Sequence, residues 1–274
     1  MFNVLYHRFS YTKFAKSLFL IMFFCIFAVK KEKAMLLEVC ANSVQSAINA
    51  DIAGAQRIEL CHNLNEGGTT PSWGSIQYCT QHLSLKTFVL IRPRTGGFCY
   101  SDAEFEVVKS DVLACKRLGV AGVVVGFLNL DYTIDKEKTA EIVKLAAPME
   151  VTFHRAFDIC AQHEQSLEDI IDCGCHRILT SGFKKTAEEG VEELAKLKLL
   201  ANGRIAILVG SGINQHNIAE IAAKTGLTEF HASCKKVIKD AAYISEREYL
   251  DNSNISHSQT DSDEVWEILQ ILKK

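Results

Sequence analysis

Several short apolar runs of this chain end in side chains that are able to do chemistry. The run 151–153 leads directly into His154 and Arg155, with Asp158 close behind. The same order recurs where apolar runs precede Cys40, Cys61 and Arg92. No turn residue separates each run from its polar side chain, so the polar groups are expected at the carboxyl ends of buried strands. In parallel sheets that end carries the ligand site, and the pattern predicts a site built from successive strands.

A Glu-x-Cys pair ends each of the first two predicted strands, Glu38 with Cys40 and Glu59 with Cys61. Side chains alternate along a strand, so both members of a pair point the same way. Neighbouring strands lie about 4.8 Å apart, which predicts that the two pairs stand side by side and that both thiolates reach one ion. Two thiolates with few other donors suit a soft ion such as Cu(I), whereas zinc takes three or four protein ligands. The competing interpretation is that both cysteines are small core-packing thiols.

A second set of predicted site residues is cationic or rich in glycine. Arg92 and Arg94 follow the third predicted strand, and Arg155 follows the fifth. Arginine presents a fork of donors that suits carboxylate or phosphate. The loop after the seventh strand lies where barrels often bind phosphate with backbone N–H groups. The predicted anion-binding residues are therefore Arg92, Arg94, Arg155, Gly210, Ser211 and Gly212.

Four residues at the same predicted strand ends are candidate general acids or bases. They are Glu38, Glu59, His154 and Asp158, and His231 after the eighth strand lies near them in this arrangement. The alternative is that these groups pair with the arginines and only neutralise buried charge. The residue types leave both interpretations open.

Eight successive strand-then-helix units would position these side chains. The predicted strands are 36–40, 57–61, 87–91, 122–126, 150–154, 177–180, 204–209 and 228–231. Ser101 with Glu104, and Thr186 with Glu189, match the capping box that begins a helix. The segment 122–126 is apolar throughout, as is typical of a strand buried on both faces. The pattern predicts the α/β class and, within it, a single-domain (β/α)8 TIM barrel.

Length and composition agree with one large globular domain. The chain has 274 residues, and a TIM barrel needs about 250. A net charge of -3 argues against nucleic acid as a partner, since nucleic-acid-binding domains are basic. The chain has ten cysteines, most at apolar or site positions rather than in a spaced disulfide framework. That usage predicts a reducing compartment, the cytoplasm.

Residues 1–34 form an amino-terminal extension that is either signal-like or the product of a misassigned start. The segment 17–29 is apolar apart from Ser17, and basic residues precede it, as in a signal peptide. It is shorter than the ~20 residues of a membrane-spanning helix, so no stable membrane span is expected. A true start at Met35 predicts a cytoplasmic protein, and a working signal peptide would instead predict export. The barrel domain is assigned to residues 35–274.

The chain resembles the CutC family, the copper homeostasis proteins, from Met35 nearly to its carboxyl end. The segments that carry the resemblance are Leu37–Cys40, Arg57–Cys61, Glu66–Ser72, Ile91–Arg94, Phe98–Asp102, Thr152–Asp158, Leu179–Gly182 and Glu229–Ser233. The resemblance implies a cytoplasmic TIM barrel, a homodimer or larger homo-oligomer, that binds Cu(I) and takes part in copper tolerance or trafficking. The family's proposed copper thiols fall on Cys40 and Cys61.

Two hypotheses about function follow from the sequence. The first is a copper homeostasis protein whose cofactor or cargo is Cu(I), bound by Cys40 and Cys61. The second is a TIM-barrel enzyme that acts on a small anionic metabolite, phosphorylated ones included. In the second, the arginines and the 210–212 loop hold the anion while the carboxylates and His154 move protons.

Overall fold

Eight parallel strands close into a barrel in chain order. The structure, a computed structural model, describes residues 34–239 and 256–273. The strands are β1 Leu36–Ala41, β2 Arg57–Leu60, β3 Lys86–Leu90, β4 Gly122–Val125, β5 Glu150–Phe153, β6 Arg177–Thr180, β7 Ala206–Val209 and β8 Glu229–Ala232. The TIM barrel predicted from the sequence is confirmed. The prediction for residues 1–34 lies outside the described residues, apart from Ala34.

Helices follow the barrel strands and pack around them. Those in the described residues are Val44–Ile52, Trp73–His82, Asp102–Leu118, Lys136–Ala146, His163–Asp172, Val191–Ala201, Ile218–Thr225 and Ser262–Leu272. Ser101 and Glu104 form the predicted capping box at the start of the third of these helices. No helix in the described part of the chain is both long and apolar enough to cross a membrane.

One local prediction from the sequence is wrong. Thr186 does not begin a helix: its hydroxyl accepts the Glu189 N–H within a turn, and the helix starts at Val191 after Gly190. The structure also contains two strands that the sequence did not predict: Lys235–Lys239 (β9) and Ser256–Thr260 (β10) pair as antiparallel strands.

The main hydrophobic core lies between the barrel strands and the helices. Alternate strand residues such as Leu37, Val39 and Ile58 are fully buried there. The remaining strand positions face the inside of the barrel, where a small separate cluster contains Cys40, Cys61, Phe88, Leu90 and Val124. The alternation of side chains along each strand thus divides the sequence into an outer apolar set and an inner mixed set.

A layer of buried charges fills the inside of the barrel below this small cluster. Arg57 donates to Glu38 at 2.5 Å and to Glu229 at 3.0 Å. Arg177 donates to the same Glu229 at 2.7 Å and to Glu150 at 3.0 Å. Each buried guanidinium is therefore paired with carboxylates, as a charge in a low-dielectric interior must be.

The ring of Phe88 packs against both guanidiniums of this charge layer. The Arg57 and Arg177 guanidinium carbons lie 5.0 and 5.3 Å from its centroid, within cation–π distance. A side chain at Gly122 on the neighbouring strand would meet the same ring at 2.3 Å, so glycine is required there. The charge layer, Phe88 and Gly122 form one packed unit that supports the site above it.

We predict that Arg57→Met lowers the free energy of unfolding by about 3–5 kcal/mol, because it leaves Glu38 and Glu229 buried with one fewer counter-charge. Chemical denaturation at pH 7 measures the change. Arg204→Met is the matched control, since it removes an arginine that pairs with Glu168 at the exposed surface. A loss no larger than that of the control would contradict a structural role for the charge layer.

Candidate functional site

A cavity of about 470 Å³ opens at the carboxyl end of the barrel. It is bordered by residues from β1 and β2 on one side and by the loops after β3, β5, β7 and β8 on the other. The predicted site residues among its lining are Cys40, Glu59, Cys61, Arg92, His154, Arg155, Ser211 and Gly212. Successive strand ends therefore meet in one place, as the sequence pattern indicated.

Cys40 and Cys61 meet at the floor of this cavity. Their sulfurs are 3.8 Å apart, and both side chains are buried. The strand register differs from the predicted one, because Cys40 lies opposite Glu59 rather than opposite Cys61. The two Glu-x-Cys pairs are thus staggered by two residues, since strands in a barrel are tilted and offset. The sulfurs still converge, and 3.8 Å is short enough for one ion to bond both, since two metal–sulfur bonds of roughly 2.3 Å span at most about 4.6 Å.

His231 and Glu59 complete a cluster of possible metal ligands around Cys40. One donor atom from each of these three residues lies within 4.8 Å of the others. His231 Nε2 is 3.5 Å from Glu59, while its Nδ1 is 2.8 Å from Glu38. A carboxylate bonded to the far nitrogen of a histidine is the usual second-shell arrangement of a metal ligand. The donor set therefore fits a soft or borderline cation.

The carboxylates beside the thiols have opposite electrostatic environments. Burial raises the pKa of Glu38, but the Arg57 charge and the His231 hydrogen bond outweigh it and hold the pKa at about 2. Burial raises the pKa of Glu59 to about 7, with the attraction of His231 opposing the rise and the charge of Glu38 adding to it. Glu38 is thus a fixed anion, whereas Glu59 exchanges its proton near neutrality.

The thiol and the imidazole of the cluster both hold their protons. The hydrogen bond with Cys61 raises the pKa of Cys40 well above its ordinary value, and burial raises it further. Burial lowers the pKa of His231, but hydrogen bonds with Cys40 and Glu38 outweigh it and the net pKa is well above the ordinary value. A cation bound by the thiolates must therefore displace protons, which makes its binding dependent on pH.

His154 lies on the opposite wall, at the start of the 3-10 turn Arg155–Ile159. Its Nδ1 accepts the N–H of Ala156 at 3.1 Å, so the proton of the neutral ring is on Nε2. Burial and then the charge of Arg92 lower its pKa to about 3. A side chain at Gly126 would meet the ring at 2.2 Å, so the ring occupies the space that this glycine leaves. His154 is a neutral donor and is poorly suited to take up a proton.

Asp158 lies next to the cavity but organises the loop after β6. Its carboxylate accepts the Thr180 hydroxyl at 2.5 Å, the Ser181 N–H at 3.2 Å and the Phe183 N–H at 3.3 Å. Arg155 also donates to it, at 2.7 Å. With these bonds formed, Asp158 is placed to hold Arg155 and the loop in position.

The other predicted anion-binding residues divide into two groups. Ser211 and Gly212 line the cavity, with left-handed φ values of 80° and 77°. Arg94 is not part of the lining: it pairs with Glu104 and donates to the Cys99 carbonyl oxygen. Gly210 is also outside the lining and packs against Leu179. The structure therefore brings Arg92 and Arg155 to the cavity and leaves Arg94 at the side.

Three site features were not identified from the sequence. Phe98 and Lys235 line the cavity, and Arg57 supports Glu38 from below. Arg57 alternates with Glu59 and Cys61 along β2, so the period of two already placed it on the same inner face. Phe98 lies on a loop, where no periodicity exists to locate a side chain, and Lys235 begins β9, a strand that the sequence did not predict.

Comparison with known proteins gives consistent matches. A model described as the CutC family matches residues 35–236. A protein named CutC from Chromobacterium violaceum is 47% identical over 206 residues, which cover 75% of this chain and 83% of that protein. The human copper homeostasis protein cutC homolog is 46% identical over 200 residues, or 73% of each chain. The crystal structure of a CutC protein from Streptococcus agalactiae is 32% identical with a TM-score of 0.70, and covers 73% of this chain and 98% of that one.

We predict that buried, neutral His154 makes the protein less stable as the pH falls. The pKa of His154 is about 3 in the folded protein, against an ordinary value of 6.5. Below pH 6.5 the unfolded state therefore binds a proton that the folded state does not, and the protein loses stability as the pH falls from 6.5 towards 3. At pH 5 the loss amounts to about 2 kcal/mol. The melting temperature of His154→Gln relative to that of wild type should therefore rise as the pH is lowered from 7 to 5. The control Val125→Ala removes no titratable group, so its melting temperature should lie below that of wild type by the same amount at both pH values. A melting temperature of His154→Gln that stays at a constant difference from wild type would contradict the prediction.

Proposed function

The chain belongs to the CutC family, and from that premise we propose that it binds Cu(I) between the thiolates of Cys40 and Cys61 as part of copper homeostasis. The observation that carries the proposal is the 3.8 Å separation of two buried sulfurs at the floor of an open cavity. The name of the human relative, a copper homeostasis protein, supports the same assignment.

The chemistry of the donors favours a soft monovalent ion. Thiolates are the ligands that Cu(I) prefers, and it accepts low coordination numbers. Cys40 and Cys61 supply the sulfurs, and protonated His231 beside Cys40 would become a third ligand only by giving up its Nε2 proton. Glu38 fixes the orientation of that imidazole through Nδ1, which leaves Nε2 directed to the ligand cluster.

Copper binding changes the net charge at the thiols, and a neighbouring residue is able to compensate for the change. Two thiols that lose protons and gain one Cu(I) become more negative by one charge. Glu59 is able to offset that charge by taking up a proton, since its pKa is about 7. We also propose a cytoplasmic location, since Cys40 and Cys61 must stay reduced to bind the ion.

We predict tight, one-to-one Cu(I) binding that is lost in the Cys40→Ser/Cys61→Ser variant. An anaerobic competition titration of the full chain against a Cu(I) chelator measures the affinity. Cys99→Ser is the matched control, because Cys99 is an exposed thiol that is not part of the cavity lining; this variant should bind as wild type does. Equal affinity in wild type and the double variant would rule out the thiol site.

A second candidate function is favoured by the size and charge of the cavity. A bare ion needs no space of about 470 Å³, a volume typical of sites for small organic ligands. Arg92, which is 5% exposed, forms no ion pair with a carboxylate in the described residues. A buried cation without a counter-ion is suited to bind an anion. The candidate is an enzyme that acts on a small anionic metabolite.

We predict that at least one carboxylated or phosphorylated metabolite raises the melting temperature of the metal-free protein. A ligand at 100 times its Kd stabilises a protein by about 2.7 kcal/mol. The Cys40→Ser/Cys61→Ser variant should show the same rise, because the anion is not bound by the thiols. Absence of stabilisation by every compound at millimolar concentration would count against the enzyme candidate.

A further inference from the structure

Arg92 is a buried cation with one unused donor. Its terminal nitrogens donate to the carbonyl oxygens of Glu66, Gly68 and Gly96 at 3.1, 2.6 and 2.7 Å. Its Nε is buried and has no hydrogen-bond partner in the described residues, and the Tyr100 hydroxyl, which is likewise buried and unpartnered, lies near the guanidinium. Three carbonyl dipoles fix the guanidinium in place but do not cancel its charge. The arrangement leaves a positive charge without a counter-ion at the cavity wall.

His154 also has a buried N–H donor without a hydrogen-bond partner. Its side chain is 6% exposed, and Nε2 has no hydrogen-bond partner in the part of the chain that the structure describes. Because Nδ1 already accepts the Ala156 N–H, Nε2 is a donor. A buried donor without a partner destabilises the folded protein, and such exceptions call for an unseen partner.

Both unused donors belong to one wall of the cavity. The Arg92 guanidinium carbon lies 5.1 Å from the centroid of the Phe98 ring, and the His154 ring centroid lies 4.7 Å from the same ring. All three residues line the cavity. Phe98 therefore offers an apolar surface next to two polar donors.

The other charged groups of the cavity leave this wall positive. Arg155 is balanced by Asp158 at 2.7 Å. Lys235 adds a further cation to the lining, while Glu59 on the thiol side has its pKa raised to about 7. No carboxylate in the described residues approaches Arg92 closely enough to form an ion pair. An anionic ligand is the natural counter-ion.

We propose that Arg92 Nε–H and His154 Nε2–H bind the carboxylate of a small organic acid, whose carbon chain packs against Phe98. This subsite deepens the second candidate function and rests on it. Two N–H donors and one positive charge match the two oxygens and single charge of a carboxylate. A phosphate ester has three free oxygens and nearly two charges, which exceeds what this wall offers.

Calorimetric titration of the metal-free full chain tests the subsite, with butyrate as the probe. Butyramide has the same shape without the charge, and inorganic phosphate tests the other anion class. Arg92→Met removes the cation. His154→Asn retains an acceptor for Ala156 but has no donor at the Nε2 position, whereas His154→Gln restores one. Arg204→Met removes an arginine at the opposite end of the barrel as the matched control.

Butyrate should bind at least tenfold more weakly to Arg92→Met and to His154→Asn than to wild type, as expected for a charged hydrogen bond. His154→Gln should bind within about threefold of wild type, Arg204→Met should be unchanged, and butyramide should bind at least tenfold more weakly than butyrate. Equal binding of butyrate and butyramide, or no effect of either substitution, would overturn the proposal. Tighter binding of phosphate than of butyrate would overturn the carboxylate assignment.

A measurement on wild type keeps the test decisive if Arg92→Met unfolds. The 15N signal of His154 Nε2 should shift with butyrate along the same saturation curve as the calorimetry, and no shift at saturation would refute the subsite. If metabolites stabilise the protein but both variants bind butyrate normally, the subsite is wrong and the enzyme candidate stands. If no anion binds, both fail.

Discussion

The carboxylate of Glu38 is the interaction on which both the barrel interior and the site depend. One oxygen accepts the Arg57 Nε–H at 2.5 Å, and the other is 2.8 Å from His231 Nδ1. This is possible because β1 lies between β2 and β8, with Glu38 opposite Arg57 on one side and His231 on the other. A single side chain therefore joins the buried charge layer to the imidazole beside the thiols. The register of three strands thus fixes the orientation of His231.

The balance of charge inside the barrel explains why His231 keeps its proton. Glu38, Glu229 and Glu150 supply three negative charges against the two guanidiniums of Arg57 and Arg177. Three minus two leaves one negative charge, which a protonated His231 cancels. Glu59 then stands beside a neutralised network, so its burial dominates and its pKa rises. The opposite pKa shifts of two glutamates on adjacent strands follow from which of them contacts an arginine.

The sequence predicted the fold well because its main signal, apolar strands each ending in polar residues, reports burial directly. It also predicted that Cys40 and Cys61 converge, although it assumed level strands and the structure has them staggered. It was less informative where partners come from distant parts of the chain. Arg92 and Arg94 are only two positions apart in the sequence. Arg94 nevertheless pairs with Glu104, whereas Arg92 donates to carbonyl oxygens of a loop. Local spacing carries no information about such partners.

The two proposed occupants of the cavity oppose one another electrostatically. Exchange of two thiol protons for one Cu(I) makes the cavity more negative by one charge, and an incoming carboxylate adds another. Such charges repel one another across the cavity. Glu59 is the group that is able to respond, because a proton gained there cancels one negative charge, and its pKa of about 7 leaves it partly ionised near neutrality. The two proposals together therefore predict that copper at the thiols and an anion at Arg92 are linked through the protonation of Glu59. A rise in negative charge at one wall would be met by a proton at Glu59 or by release of the ligand at the other.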